Sequence, residues 1–300
     1  MKRLWQVVVL GSAVAVWVTP ARAYDEPSVN LGFTSFLDGG PPAGPGFYYT
    51  EYMQWYYAQR FPEPPVTLNR LNAWIALQQL IYQSNQKVLL DGKWGVDLIQ
   101  SFVAFDVKPS YPTESGPGDV LVGPYLQWDP IMGKDGPVFM HRFELQMIAP
   151  TGRYSANAPL NAGSNFFSLD PYWAATWFVL PQWSMSWRIH YLWNDRNDNP
   201  GLGLNTEQPG QAIHANFASE YELVPKQLRI GVNGYFFEQI TDSTANGANV
   251  AGHEQVVGLG PGLIWHISQN DHVFFDAYYE FAAEHRPEGQ RYNLRWVHHF

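Results

Sequence analysis

The segment Trp183-Ser184-Met185-Ser186-Trp187-Arg188-Ile189-His190-Tyr191-Leu192-Trp193-Asn194 decides the fold. Successive side chains of a strand point to opposite faces. One face therefore carries Trp183, Met185, Trp187, Ile189, Tyr191 and Trp193, and the other Ser184, Ser186, Arg188, His190, Leu192 and Asn194. The first face has no polar group beyond a tyrosine hydroxyl and indole nitrogens. A strand with lipid on one side and water on the other demands that division.

The same period recurs along the chain. In 272–284, Val273, Phe275, Ala277, Tyr279, Phe281 and Ala283 are expected to face outward, with His272, Asp276, Glu280 and Glu284 inward. In 139–150 the outward set is Phe143, Leu145 and Met147 and the inward set Arg142, Glu144 and Gln146. Extending the pattern gives twelve strands, at 47–61, 68–82, 91–105, 117–128, 138–150, 166–180, 183–194, 211–223, 228–240, 253–267, 272–285 and 289–300. A strand of roughly 13 residues, rising about 3.3 Å per residue and tilted near 45°, covers about 30 Å, enough for an apolar band and its aromatic rims.

Connection lengths test this count, because membrane barrels alternate short periplasmic turns with longer external loops. The turns at 181–182, 224–227 and 268–271 are tight, while 195–210 and 241–252 are long and rich in Asn, Asp and Gly. The alternation is weaker in the first half, where 62–67 is short for an external loop and 129–137 long for a turn. A total of ten or fourteen strands also fits. The expected fold is all-β, a closed antiparallel transmembrane β-barrel of about twelve strands.

Lys2 and Arg3, an apolar stretch to Val18 and the small-residue end Ala21-Arg22-Ala23 read as a secretory signal peptide over residues 1–23. Residues 24–46, rich in Pro and Gly, read as a pre-barrel arm that could fold into the lumen as an obstruction, and 47–300 as the barrel. Removing Lys2, Arg3 and Arg22 from the 18 basic residues leaves 15 against 27 acidic ones, which argues against nucleic acid as a partner. There is no cysteine, which excludes disulfides and thiolate metal ligation. Aromatic content of 16% beside only 15% charged residues fits a barrel with interfacial aromatic rims better than a soluble domain, which usually carries about 25% charge.

Several pieces resemble a known family, the outer-membrane proteins associated with the meta-cleavage pathway of phenol degradation. They are Pro45-Gly46-Phe47-Tyr48, Gly118-Asp119-Val120 with Gly123-Pro124, Pro150-Thr151-Gly152-Arg153-Tyr154, Asn161-Ala162-Gly163-Ser164-Asn165, Gly231-Val232-Asn233-Gly234-Tyr235-Phe236 and Leu259-Gly260-Pro261. The resemblance implies a bacterial outer-membrane location and passage of aromatic or other hydrophobic compounds.

Inward-facing Arg142, Glu144, Arg188, His190, Arg229, Tyr235, Asp276, Tyr278, Glu280 and Arg295 are the lumen-lining candidates, joined by Tyr125, Phe237 and Phe274. They either orient a solute or pair across strands to fill a narrow lumen. Tyr292, Leu294 and Trp296 share a face with Phe300, an aromatic ending that resembles the signal read by the outer-membrane assembly machinery. His266 and Ser268 have the spacing of a base and a nucleophile on one strand face, but at a periplasmic rim, away from the external leaflet where a lipid hydrolase works. Gly258-Leu259-Gly260-Pro261-Gly262 lacks the spacing, lysine and helix of a phosphate loop, and reads as a strand bent by glycines with Pro261 at an edge-like position or bulge. His298 and His299 point to opposite faces and are not expected to share an ion.

The sequence thus reads as a passive outer-membrane channel for small hydrophobic or aromatic solutes, with membrane lipid around it and no cofactor. A barrel enzyme acting on lipid and a plugged barrel with a structural or adhesive role are the alternatives.

Overall fold

A computed structural model describes residues 29–41, 44–61, 68–201 and 203–300. The expected leader at 1–23, residues 24–28 and 42–43 of the expected arm, and the external connection 62–67 lie outside these residues.

Twelve long antiparallel strands make the barrel: β1 (Gly46–Arg60), β2 (Arg70–Leu89), β3 (Gly92–Lys108), β4 (Gly116–Gln127), β5 (Pro137–Ala149), β6 (Ser168–Leu180), β7 (Trp183–Asn194), β8 (Ala212–Val224), β9 (Leu228–Gln239), β10 (Gln255–His266), β11 (Asp271–Glu284) and β12 (Glu288–His299). Each pairs with its neighbours in sequence, and β12 pairs with β1 from Tyr48↔His299 to Arg60↔Glu288. Closure leaves no unpaired edge, which a sheet in hydrocarbon cannot tolerate. No helix among the described residues is long and apolar enough to cross a membrane.

Strand β7 alternates as its sequence requires: Ser184, Ser186, Arg188, His190, Leu192 and Asn194 are buried, while the six residues between them point outward. The outer surface is a continuous apolar belt, with Met53, Leu98, Phe143, Trp173, Ile189, Phe217, Phe275 and Leu294 among its exposed members. At the external end, Trp55 on β1 stacks against Trp74 on β2 at 5.8 Å and Tyr292 on β12 at 5.6 Å, so one aromatic row spans the closing seam. An apolar belt with aromatic rims on a closed barrel is the outer-membrane architecture.

One face differs from expectation. In β11 the alternation holds to Phe281, but Ala282 adopts a left-handed backbone (φ 54°). The period shifts by one, so Ala283 is buried and Glu284 is exposed, the reverse of the sequence reading. In β10, Pro261 pairs with Val232 of β9 in unbroken register, while toward β11 the ladder passes from Leu259↔Tyr279 to Gly262↔Asp276 without pairing Gly260 or Pro261, so the proline occupies an edge-like gap. The local glycines instead make space: a Cβ on Gly258 would enter the Tyr235 ring, and one on Gly262 would meet Phe36 and Asp276.

The periplasmic end also carries more order than a run of turns. β2 and β3 extend past the other strands and join through Leu90 and Asp91, both left-handed (φ 48° and 61°). Beside them, Lys93 Nζ donates to Asp129 at 2.5 Å, and the long turn before β5 contains the short strand Ile131–Met132 folded onto β5. This accounts for the length of 129–137 without another membrane crossing.

Candidate functional site in the barrel lumen

Strand pleating sends every second side chain inward, and all ten lumen candidates are buried there. They gather in layers. Toward the external end, Glu280 accepts from Tyr235 Oη (2.7 Å) and Arg291 Nε (3.1 Å) through one oxygen, and from Tyr56 Oη (2.9 Å) and the Gly289 amide (2.7 Å) through the other. Midway, Arg142 lies 3.6 Å from Glu144 and 4.6 Å above the Tyr125 ring, while Tyr172 Oη donates to Glu144. Toward the periplasm, Arg295 sits 3.6 Å over Phe274, and Arg229 donates to Ser184 Oγ at 3.1 Å and faces Glu220 at 3.9 Å.

Guanidinium on aromatic face is the recurring contact: Arg188 lies 4.2 Å over Tyr172 and Arg291 4.1 Å over Tyr56. Such pairs strengthen when removed from water. Arg291 and Tyr172, partners in these layers, were absent from the candidate set although both fall on the inward period of their strands.

Residues 29–41 thread this lumen. Leu31 packs against Leu192, Tyr235, Phe237 and Tyr278 in the external half, and Phe36 against Tyr48, Ile264, Phe274 and Val297 in the periplasmic half. The segment has no strand partner, so its backbone polar groups must bond to side chains. Asn216 Oδ1 accepts from the Gly32 amide (2.9 Å), Asn293 Nδ2 donates to the Gly32 carbonyl (3.2 Å), and Gln127 Nε2 donates to the Gly39 carbonyl (3.0 Å). Thr176 Oγ1 accepts from the Gly39 amide (2.9 Å). Ser35 Oγ donates to Asp276 at 2.9 Å, and Asp38 receives both Nε and a terminal nitrogen of Arg188, at 2.8 and 2.6 Å. Burial alone would raise the Asp38 carboxyl, but the Arg188 guanidinium, aided by Arg295 and Arg142, outweighs it and holds the group below its ordinary range.

At the external end of the barrel, one carboxylate gathers the loops. Asp119 accepts from the amides of Gly152 and Ser164, both at 2.8 Å, and from Ser164 Oγ at 2.6 Å. Gly152 and Gly163 lie backbone to backbone, so a Cβ on either would strike the other. The pieces Gly118-Asp119-Val120, Thr151-Gly152-Arg153 and Gly163-Ser164-Asn165, distant in sequence, thereby form one clasp. A family model, "Putative MetA-pathway of phenol degradation", matches residues 59–296 and so contains all three. The chain belongs to this family.

Among solved structures, the COG4313 outer membrane channel from Pseudomonas putida F1 is similar at a TM-score of 0.75 with 16% identity, over 91% of this chain and 100% of that one. That likeness establishes the fold. The NanC porin (TM-score 0.44, 11% identity, 84% of this chain and 98% of that one) and the CymD monoaromatic hydrocarbon channel (0.44, 9%, 86% and 91%) match more distantly. No curated protein sequence matches the chain.

The remaining chemical candidates resolve by their partners. His266 Nδ1 lies 2.7 Å from His272 Nδ1, while Ser268 Oγ donates to Asp271 at 2.8 Å, so base and hydroxyl are not engaged with each other. His298 meets Asp271 at 2.8 Å and His299 meets the Pro45 carbonyl at 3.1 Å, on separate sides of the strand. Tyr292, Leu294, Trp296 and Phe300 lie outside the lumen, Leu294 and Trp296 on the apolar belt. His190 belongs to a third group: its Nδ1 is 3.0 Å from Asp170, whose other oxygen is 3.1 Å from His214 Nε2.

Proposed function

We propose that the protein is an outer-membrane channel passing small aromatic or hydrophobic solutes by passive diffusion, with residues 29–41 as the removable obstruction. The observation that carries this reading is the ladder of guanidinium–aromatic contacts along the lumen, Arg291–Tyr56, Arg188–Tyr172, Arg142–Tyr125 and Arg295–Phe274, spaced from the external to the periplasmic half. Each rung offers an aromatic face and fixed donors, which suits a flat solute with one polar substituent. Family membership and the channel of the same fold from Pseudomonas putida point the same way. Twelve strands enclose more space than eight, whose interior side chains fill, and less than the sixteen or more of open porins. A threaded arm fits that intermediate width.

The protein works without catalysis in this reading, since its one His-x-Ser pair is engaged elsewhere. Membrane lipid meets the apolar belt, and the outward row Tyr292, Leu294, Trp296 and Phe300 is the surface offered to the assembly machinery.

The test is uptake into liposomes and single-channel conductance for the full chain and a variant lacking residues 24–41, with phenol-class solutes beside a neutral sugar. Faster passage of the aromatic solute, enlarged by the deletion, is expected. Equal exclusion of both solutes by both proteins would leave a filled, structural barrel, which the density of arm contacts favours. Release of fatty acid from the liposomes would point to the enzyme.

A further inference from the structure

We propose that Asp170, His190 and His214 form a binding site for one divalent transition-metal ion of the zinc class. They project inward from three successive strands, β6, β7 and β8. His190 and His214 are direct register partners, and Asp170 lies one step toward the loops from Tyr172, the partner of His190 on its other side. Pleating and register therefore bring together three residues spaced 20 and 24 apart in sequence.

The geometry suits an ion. His190 Nδ1 and His214 Nε2 lie 3.0 and 3.1 Å from the two Asp170 oxygens, and one ligand atom from each residue falls within a 4.8 Å span. Donors about 2.0–2.2 Å from a tetrahedral zinc stand about 3.3 Å apart, close to the two His–carboxylate distances, while the widest ligand pair, within 4.8 Å, must close by up to about 1.5 Å. Two imidazoles and a carboxylate are a donor set that zinc, cobalt and nickel accept, and three protein ligands leave a coordination position for a further group.

Without an ion, the two rings donate to the carboxylate from their inner nitrogens. Their outer nitrogens, His190 Nε2 and His214 Nδ1, are buried with no hydrogen-bond partner. Metal binding requires each ring proton to move to that outer nitrogen, where it meets no acceptor, so the metal bonds must outweigh two unpaired buried N–H groups. The rings stack at 4.1 Å, with Tyr172 packed 4.8 Å from His190, which limits their rotation and keeps the inner nitrogens aimed at one point. The site lies in the external half of the lumen, beside Leu192 and Ala212 against which Leu31 of the arm packs. A bound ion would tie three strands together next to the arm.

The experiment uses the full chain in detergent, stripped with a chelator and given Zn²⁺ or Co²⁺ either after folding or during refolding, because the site is buried. Bound metal is counted after gel filtration, and Co²⁺ is followed by its visible absorption. One equivalent is expected, with the intense bands of a four-coordinate ion. In His190→Gln and His214→Gln affinity should fall by at least the roughly 10- to 100-fold that loss of an outer-shell partner already costs. Exposed His253→Gln should bind as the parent does. Heat-modifiable migration confirms that each variant is folded, and Asp170→Asn, which keeps an acceptor for one ring, is the conservative alternative if a histidine variant fails to fold. Failure to take up metal by either route, or binding indifferent to these substitutions, overturns the site and leaves a buried His–Asp–His hydrogen-bonded triad.

Discussion

Asp38 and Arg188, 150 residues apart in sequence, form a two-point ion pair inside the barrel, with N–O distances of 2.8 and 2.6 Å. Among the described residues it is the one ion pair between the arm and the wall; the other ties are apolar, use neutral groups, or, as at Ser35, join a hydroxyl to the Asp276 carboxyl. Removing one partner of a buried pair costs about 3–5 kcal/mol, since the other charge stays buried and unmatched. Asp38→Asn should therefore shift the arm toward release and raise channel conductance. Adding Arg188→Gln should restore part of the closed behaviour. Identical traces for parent and Asp38→Asn in planar bilayers would show that this pair does not hold the arm.

The same pair sets a pH response. The Asp38 carboxyl is held below its usual range, so its contribution is fully present above the unfolded value of about 3.9 and is lost as pH falls through the lower folded value. Conductance should be steady from neutral pH down to about pH 4 and climb only below it. In Asp38→Asn that acid-induced rise should be absent. A rise already complete at pH 5 would assign the opening to other groups.

Asp119 is expected to control the external loops. Asp119→Ala removes the acceptor of the Gly152 and Ser164 amides and of Ser164 Oγ. An unsatisfied buried donor costs about 1–3 kcal/mol, enough to loosen residues 151–165 while the strand ladders persist. Faster proteolysis within 151–165, with unchanged heat-modifiable migration, is the expected result. Equal protection in parent and variant would place the loops' stability elsewhere, for instance in the Arg153–Glu114 pair at 2.6 Å.

The barrel itself was legible because pleating converts sequence directly into faces: β7 matches its reading residue for residue, and the other strands lie close to their expected positions except β2, which runs seven residues past its expected end, and β3, which runs three past. Interior chemistry was legible only as a list of inward residues. Which of them meet depends on register, and register cannot be read from one strand. Arg188 was visible as an inward cation, but its partner lies on a segment with no period at all. Likewise the His190–Asp170–His214 group appears only once three strands are aligned. The reversal at Ala283 and Glu284 came from a single left-handed residue, Ala282, which carries no glycine or asparagine signal. Gly258 and Gly262 looked like bends, whereas what they provide is room for rings from β9 and from the arm.

That last point yields a packing test. A Cβ on Gly258 would occupy the position of the Tyr235 ring, whose hydroxyl donates to Glu280 at 2.7 Å. Gly258→Val should push that ring out of place, cost about 1–3 kcal/mol through overpacking, and break the Glu280 layer. A lower temperature for loss of the compact gel form is the expected readout, because the strand ladder on either side stays intact. Tyr235→Ala alone should also destabilise the barrel by opening a cavity, yet combined with Gly258→Val the two effects should partly cancel. Strictly additive losses would mean that Gly258 serves the backbone of β10 and not the space taken by Tyr235.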